Sequence, residues 1–573
     1  NSANPRRVVE GTENSNLNYR VLGNIYLEAK FLKDFRIRTS WGANFNSGTN
    51  RRREDPESPQ GQGAAIGTGG TLSRSTGTNT TIIGTTTLSY SKIIGEKHRV
   101  FATIGNELID ENAQSHGFTG YSLNRLPNTP AAADQGQAIH NINGGNNDNA
   151  LIGWFAFANY LYDNKYGISA SFRRDASSRF GFDSRWGNFY SVGATWNINE
   201  ENFMKGISII DTLKLRGSYG TTGNQNIGNF DYVASYGSFT YNGNQAIAPT
   251  SLPDRNLRWE TTTMANIGLD FSLWKGRING TVEYYNNLTK DLFLPVQLSR
   301  TTGFATQSSN AGTMRNSGVE FSLEVYPIKY AGFTWSVRGN FTANTNVIED
   351  LGVAEEFITG TSINREGLPA TSQYVVRWGG VDPSTGDALY YDANGNLTNN
   401  FPSDAQVAFA PAEPPRFGGI TNEFTYKNET IGTFSLSAFV TFAYGHQLFN
   451  NPIFFVTNTS FAGIANQDQS MLSAWTTEGQ ITDVPRIGVL RNFSSRDLEN
   501  GAYARLRTVR FSYALPGRWL RSTKLRYASI FFVGQNLFTW TSLYGLDPED
   551  SNNINSFDYP PPRVFTFGVK IGF

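Results

Sequence analysis

The segment Asp392-Ala-Asn-Gly-Asn396 is the closest approach to a metal-site pattern in the sequence. Its side-chain oxygens alternate along the backbone, as they do at the start of a calcium-binding loop. Such a loop also needs a bidentate glutamate at a fixed later position, and none follows here. Asn-Gly is itself a strong hairpin-turn signal. We therefore predict a turn and no cofactor, with calcium in the loops left open as an unsupported alternative.

No other pattern indicates an enzyme or a metal site. The chain has no cysteine and four histidines, His98, His116, His140 and His446, whose spacing fits no metal-ligand set. No serine motif of the nucleophile-elbow type occurs. A second acidic cluster, Asp547-Pro-Glu-Asp550, is expected to anchor a loop. The prediction is that the protein has no catalytic residue and no metal ligand and is not an enzyme.

The composition favours extended structure with many turns. Of 573 residues, 14% are aromatic, 58 are glycine and only 17% are charged. Lys+Arg and Asp+Glu both number 48, so net charge gives no reason to bind nucleic acid. No run of about 18 apolar residues could form a membrane helix. The polar opening, 1–7, does not read as a signal peptide, so we expect a piece of a longer chain.

Apolar side chains recur at every second position of many segments. Clear examples are 265–273, 319–325, 509–515 and 565–573, where polar or small residues fill the gaps. Successive side chains of a strand point to opposite faces, so each segment has one apolar face and one polar face. A soluble sandwich would show the same alternation, which therefore does not decide the fold class.

The connections between these segments favour a membrane barrel over a sandwich. Strands of about 12 to 16 residues exceed the usual globular length of about 5–6, and short turns alternate with long polar loops. Short connections are expected near 33–34, 95–96, 163–164, 275–276, 327–332, 427–430 and 516–524, with a longer one over 199–211. Long loops are expected at roughly 47–79, 111–149, 175–186, 221–256, 292–313, 345–414, 446–502 and 537–562. This pattern is typical of an all-β, transmembrane antiparallel β-barrel in an outer membrane.

Counting the segments gives about 17 strands, an odd number. A single-chain bacterial barrel has an even number. Because the chain ends as a barrel should, the missing strands are expected to precede Asn1.

Stretches along most of the chain resemble the barrel of SusC/RagA-type TonB-dependent outer-membrane transporters. They keep the family's order over about 210–573, with weaker likeness from Leu17 on. The matching segments are 213–225 (LKLRGSYGTTGNQ), 257–270 (LRWETTTMANIGLD), 316–324 (NSGVEFSLE), 366–369 (EGLP), 380–392 (GVDPSTGDALYYD), 415–426 (PRFGGITNEFTY), 503–516 (YARLRTVRFSYALP), 533–541 (VGQNLFTWT), 544–549 (YGLDPE) and Phe573.

The resemblance implies a barrel of 22 strands filled by an N-terminal plug. Counting back from the last strand makes residues 1–573 about strands 6–22, with long extracellular loops. The plug and the first strands would then be absent from this chain. The expected location is the outer membrane of a Gram-negative bacterium, in contact with its lipid.

The resemblance also implies TonB-dependent active import of a bulky nutrient, an oligosaccharide or a peptide. A SusD-like surface lipoprotein would form a lid, TonB would act through the missing N-terminal part, and two transporter–lid pairs could assemble together. Loop aromatics can stack on sugars or contact peptides; the candidates are Tyr236, Tyr241, Trp378, Tyr390 and Tyr391. Girdle and loop packing use the same residue types.

The alternation assigns other residues to the two faces of the barrel. Asp270, Glu320, Glu324 and Arg510 are expected to face the lumen. The residues expected to face lipid are Ile267, Leu269, Phe271, Phe321, Phe567 and Val569. Phe573 is the expected C-terminal barrel-assembly signal.

Two other function classes stay open from the sequence. One is an outer-membrane barrel for protein secretion or surface adhesion without import, which would lack a TonB-contacting segment. The other is a secreted β-rich glycan-binding protein, which would stay soluble without detergent.

Overall fold

The computed structural model describes residues 5–58, 61–62, 69–121, 123, 140–352, 355–463, 466–549 and 560–573. Within these ranges, 17 antiparallel strands form one sheet, as the sequence predicted. They are β1 (Thr12–Phe31), β2 (Phe35–Glu54), β3 (Thr71–Ile94), β4 (His98–Tyr121), β5 (His140–Tyr162), β6 (Tyr166–Ser177), β7 (Trp186–Asn197), β8 (Ile210–Asn224), β9 (Glu260–Leu273), β10 (Ile278–Lys290), β11 (Thr313–Tyr330), β12 (Phe333–Asp350), β13 (Arg416–Asn428), β14 (Gly432–Tyr444), β15 (Tyr503–Ala514), β16 (Tyr527–Thr541) and β17 (Val564–Gly572).

The sheet is a meander from β1 to β17. Each strand from β2 to β16 pairs with the strand before it and the strand after it, and among the described residues β1 pairs with β2 and β17 with β16. Neighbours in space are therefore neighbours in sequence, which is the connectivity of an up-and-down barrel.

The connections fall into two sets at opposite ends of the sheet. At one end, called the turn end, they span 32–34, 95–97, 163–165, 198–209, 274–277, 331–332, 429–431 and 515–526. At the other, called the loop end, they span 55–70, 122–139, 178–185, 225–259, 291–312, 351–415, 445–502 and 542–563. The predicted alternation of short and long connections is confirmed.

Two predicted loop boundaries were wrong. Much of 47–79 and 111–149 is strand, because β2 to β5 run 20–24 residues. The β3–β4 register continues from Ile94↔His98 out to Thr71↔Tyr121. The polar side chains there gave no apolar alternation to detect, yet backbone pairing still satisfies every ladder N–H and C=O.

Register keeps one kind of side chain on each face of the sheet. Ile267 pairs with Tyr284 and Leu269 with Val282, which in turn pairs with Phe321. Towards the other end of the meander, Phe567 pairs with Phe532 and Val569 with Ile530. We call this side the apolar face, and the side that carries Asp270, Glu283, Glu324 and Arg510 the polar face.

Helix is short among the described residues. The α-helical segments are Pro5–Glu10, Asn451–Val456 and Gly517–Leu520, and the 3-10 segments are Ile198–Glu200, Asn202–Met204, Arg300–Thr302, Thr459–Phe461, Gln469–Ser473 and Ser495–Asp497. In the described part of the chain, no helix has the length and apolar character needed to cross a bilayer.

The loop-end connections carry small sheets of their own. Two hairpins pair Tyr236–Tyr241 with Asn244–Pro249 and Phe293–Gln297 with Thr306–Asn310. Four strands, Glu356–Thr359, Ser362–Arg365, Ser372–Val376 and Gln406–Pro411, form a second sheet. Three more, Trp378–Val381, Ala388–Tyr391 and Leu397–Thr398, form a third, and Gln447–Phe449 pairs with Leu498–Asn500.

Candidate functional site

Ion pairs on the polar face join neighbouring strands and also strands that are separated by one strand. Arg216 on β8 bonds Glu283 on β10 with Nη2–Oε2 at 2.6 Å, and Asp270 on β9 with Nε–Oδ1 at 3.3 Å. Gly268 lies in register between Arg216 and Glu283. A Cβ at this glycine would come within 2.8 Å of the Arg216 Cζ. The missing side chain is therefore what lets Arg216 cross β9.

The same arrangement recurs on β4 to β6. Arg173 on β6 bonds Glu107 on β4 with Nη2–Oε1 at 2.7 Å and Asp175 on its own strand at 2.7 Å. Gly153 on the intervening β5 is the residue crossed, since a Cβ there would lie 2.8 Å from the Arg173 Nη2. Charge-assisted bonds of this kind hold both partners in one geometry.

The four polar-face residues predicted from sequence have different surroundings. Asp270 is paired as described, and Glu324 lies 3.8 Å from Arg338, which also bonds Glu423 on β13. Glu320 is exposed and stands in register with Glu283. The Arg510 guanidinium lies 5.7 Å from the centroid of the Phe531 ring. Sequence analysis missed Arg173, Arg216 and Arg338, because nothing in one chain gives the register that pairs them.

Two long connections of the loop end, 351–415 and 445–502, pack into one body. Val376, Ala388 and Tyr390 form its apolar centre, with Trp378, Phe401 and Val489 packed around them. Val376 also bridges to Ser494. We call this body the loop platform.

A fully buried ion pair lies inside the loop platform. Arg491 Nη1 bonds both carboxylate oxygens of Asp497 at 2.7 Å, and neither side chain is exposed. Arg491 Nη2 also donates to the Thr457 hydroxyl at 3.2 Å, and its guanidinium stacks over Phe454. Burial raises the pKa of Asp497, and the Arg491 charge opposes that rise. A buried pair of this kind fixes which loop segments can meet.

The acidic cluster at 547–550 anchors the connection between β16 and β17. Arg505, near the start of β15, bonds Asp547 with Nη2 at 2.6 Å and Glu549 with Nη1 at 2.5 Å. Arg507 also pairs with Glu549. This agrees with the anchoring role expected from the sequence. Asp550 lies outside the described residues.

The five loop aromatics proposed to contact substrate lie in different places. Tyr236 and Tyr241, at the two ends of one hairpin strand, are 68% and 79% exposed. The turn of that hairpin is Asn242-Gly243, with φ of 48° and 79°. A positive φ at both central positions is what the tight hairpin turn requires.

The other three aromatics belong to the loop platform. Tyr390 is 1% exposed, its hydroxyl accepts a bond from the Asn492 N–H at 3.0 Å, and burial raises its pKa. It packs the platform and is not accessible to a ligand in this packing. Trp378 is half-buried and donates from Nε1 to Asp483 at 2.8 Å, while the Tyr391 ring lies 4.9 Å from the Arg377 guanidinium.

Asp392 closes a turn, as predicted. Its Oδ1 accepts the N–H groups of Asn394 at 2.9 Å and Asn396 at 2.8 Å, and these backbone bonds lower its pKa. Gly395 has a φ of 80°. Across the described ranges, no three His, Asp or Glu side chains are grouped to hold a metal. His140 has no described side chain.

An antiparallel meander of 17 membrane-length strands, with its long loops at one end, defines the class as a transmembrane β-barrel of the outer membrane. The family model described as TonB dependent receptor-like, beta-barrel, matches residues 2–442. The chain therefore belongs to the TonB-dependent receptor β-barrel family, and the predicted resemblance to its SusC/RagA-type members is confirmed. This family consists of transporters and receptors.

Two relatives and one solved structure illustrate the similarity. TonB-dependent receptor P3 of Formosa agariphila is 31% identical over 511 residues, 79% of this chain and 50% of its own. TonB-dependent receptor SusC of Bacteroides thetaiotaomicron is 31% identical over 456 residues, 74% of this chain and 44% of its own. The structure of the RagAB peptide transporter aligns with a TM-score of 0.90 at 25% identity, over 99% of this chain and 63% of that one. The chain thus spans about half the length of the curated relatives it matches.

Proposed function

We propose that this barrel serves TonB-dependent active import of a bulky nutrient, an oligosaccharide or a peptide, across the outer membrane. The observation that carries the proposal is similarity to SusC over 74% of the chain and to the RagAB peptide transporter over 99% of it. A SusD-like lipoprotein would cover the loop end as a lid, and two transporter–lid pairs could assemble together. TonB would supply the energy.

In this proposal the loop end faces the cell exterior and the turn end faces the periplasm, as in other outer-membrane barrels. The apolar face, including Ile267, Leu269 and Phe271, contacts lipid. The polar face lines a hydrated lumen in which Asp270, Glu320, Glu324 and Arg510 stand. Residues 1–573 then act as barrel and extracellular loops, with no cofactor, and Phe573 as the assembly signal.

Substrate contact is proposed for the accessible loop aromatics. Tyr236 and Tyr241 offer the most exposed rings of the five candidates. Tyrosine presents a large contact area with few rotatable bonds, so ordering it on a ligand costs little entropy. Trp378 and Tyr391, at the surface of the loop platform, are the second candidate pair.

The first experiment identifies what accompanies the native protein. The protein is purified from its outer membrane in mild detergent, and every polypeptide recovered with it is identified by mass spectrometry. Recovery of a plug segment and a SusD-like lipoprotein would support import. A barrel recovered with neither would overturn the proposal and favour secretion or adhesion.

A second experiment tests the aromatics by growth on single nutrients. Tyr236→Ala combined with Tyr241→Ala should slow growth on the imported nutrient only. Tyr330→Ala is the matched control, since Tyr330 is 81% exposed but lies at the turn end. Equal growth of the double variant and the control would remove these two tyrosines from the proposal.

A further inference from the structure

Three arginines on the apolar face each lie beside an aromatic ring. Arg174 lies 4.8 Å from the Trp186 ring centroid, Arg416 lies 5.8 Å from Tyr444, and Arg563 lies 5.7 Å from Phe538. All three arginines are exposed. In the part of the chain that the structure describes, no carboxylate lies within ion-pairing distance of them. We call these three contacts the arginine–aromatic belt.

The register places the belt on the apolar face. Arg174 pairs with Trp154 and lies two residues beyond Phe172, which pairs with Tyr190. Arg416 pairs directly with Tyr444. The belt aromatics are themselves 41% to 57% exposed. In each contact the arginine and the aromatic ring therefore both lie on the outer side of the sheet, toward the bilayer.

The belt also lies at one height of the barrel, the loop end. Arg174 stands three residues before the end of β6, and Trp186 begins β7. Arg416 begins β13 and Tyr444 ends β14. Arg563 immediately precedes β17. Three separate sectors of the sheet therefore carry the same pair of groups where the apolar band meets the loops.

Two arginines close to the belt have carboxylate partners. Arg173, one residue before Arg174 and on the polar face, bonds two carboxylates. Arg315, on the apolar face but outside the belt, pairs with Glu349 at 2.5 Å. In the belt, the aromatic ring lies against the guanidinium, and no described residue forms an ion pair with it.

Guanidinium groups at the edge of an apolar band are suited to binding an anionic group. Guanidinium binds phosphate through parallel N–H bonds and is more weakly hydrated than an ammonium. Tryptophan and tyrosine favour the headgroup level of a membrane. We propose that the arginine–aromatic belt binds the phosphate groups of phosphorylated lipid headgroups in the outer leaflet. This proposal depends on the outer-membrane location and not on the import proposal.

The test uses the full protein in a neutral detergent with diphosphoryl lipid A as the probe. Native mass spectrometry measures how much lipid A is retained and its apparent dissociation constant. Lipid A stripped of both phosphates is the chemical control. The triple variant Arg174→Gln, Arg416→Gln, Arg563→Gln should weaken retention by about fivefold per arginine, the effect of one cation near an anionic surface.

A matched control removes three charges at the opposite end. Arg518, Arg521 and Arg526 are exposed and lie in the turn-end connection 515–526. Their triple change to glutamine should retain lipid A as the wild type does. A lysine triple at the belt positions keeps charge but loses the planar stack, and we expect intermediate retention and normal assembly.

Four outcomes would overturn the proposal. Wild type could hold both forms of lipid A equally, the belt glutamine triple could bind as tightly as wild type, or the turn-end triple could lose binding to the same extent. Release of lipid A by millimolar inorganic phosphate would show a general anion site and would also overturn the lipid assignment. If the glutamine triple fails to assemble, the lysine triple becomes the test. Binding by the lysine triple equal to that of the wild type would show that the arginine–aromatic contact is not needed.

Discussion

The buried pair inside the loop platform gives the sharpest stability prediction. Asp497→Ala leaves the Arg491 guanidinium buried without its partner and deletes two bonds of 2.7 Å. Removing one member of a buried pair costs about 3–5 kcal/mol. Because the pair sits in a loop body and not in the barrel ladder, the loss should appear as local opening of the loop platform.

Native-state hydrogen exchange measures that opening directly. A loss of about 3–5 kcal/mol speeds exchange by about two to four orders of magnitude, at 1.36 kcal/mol per tenfold change. The amide of Asn450, which donates to the Asp497 carbonyl at 2.8 Å, is the reporter. Amides of β14, outside the platform, should exchange as in wild type.

Two further variants separate charge loss from a packing defect. Arg491→Met with Asp497→Leu should recover most of the protection, because well-packed apolar groups often replace a buried pair without loss. Glu356→Ala breaks an exposed pair with Arg365, 2.7 Å apart and about 40% exposed on both sides, so it should change exchange by less than about tenfold. An Asp497→Ala variant no faster than Glu356→Ala would refute the reasoning.

Three other perturbations test the faces, the sheet and the pH response. Leu269→Arg on the apolar face should cost about 2–4 kcal/mol if that residue lies near the bilayer midplane. The loss should appear on gels as a missing heat-modifiable folded band. Assembly equal to that of the wild type would argue against lipid contact. Gly318→Ala should destabilise β11 by about 1–3 kcal/mol in a refolding assay, because the new Cβ would lie 2.2 Å from the Ala343 carbonyl oxygen. Gly23→Ala is the control: its Cβ meets no atom within 4 Å, so it should be neutral in the same assay. His446 is 3% exposed, and burial lowers its pKa. The unfolded loop therefore binds a proton on this histidine more readily than the folded loop does. The stability of the loop platform should fall as the pH drops below about 6.5. Protection factors measured at pH 7.5 and 5.5 should differ less in His446→Gln, and an unchanged difference would contradict that account.

The sequence was informative where side chains alternate and where turns are tight. The apolar alternation over 265–273 predicts a strand, and these residues lie in β9. The turn that begins at Asp392 was predictable because its hydrogen bonds join residues that are close in sequence. The extra length of β3 and β4 was not visible, since its polar residues show no apolar alternation and pairing alone extends it.

The candidate site was less accessible to prediction, because its contacts join distant segments. Tyr390 reads as a loop aromatic, but it fills the platform centre opposite Asn492, 102 positions away. Arg216 meets Glu283 only because three strands align and a glycine stands between them. Such pairings depend on register and on loop docking, which no local pattern specifies.

The sequential order of the strands has a consequence for how this molecule can change. Each long connection leaves from one strand and returns to the strand already hydrogen-bonded beside it, so its two ends are held at a fixed spacing by the sheet. Insertion, deletion or exchange of a whole loop then leaves both flanking strands in register. Recognition surfaces on such a scaffold can be replaced one loop at a time, while the wall that carries them stays the same.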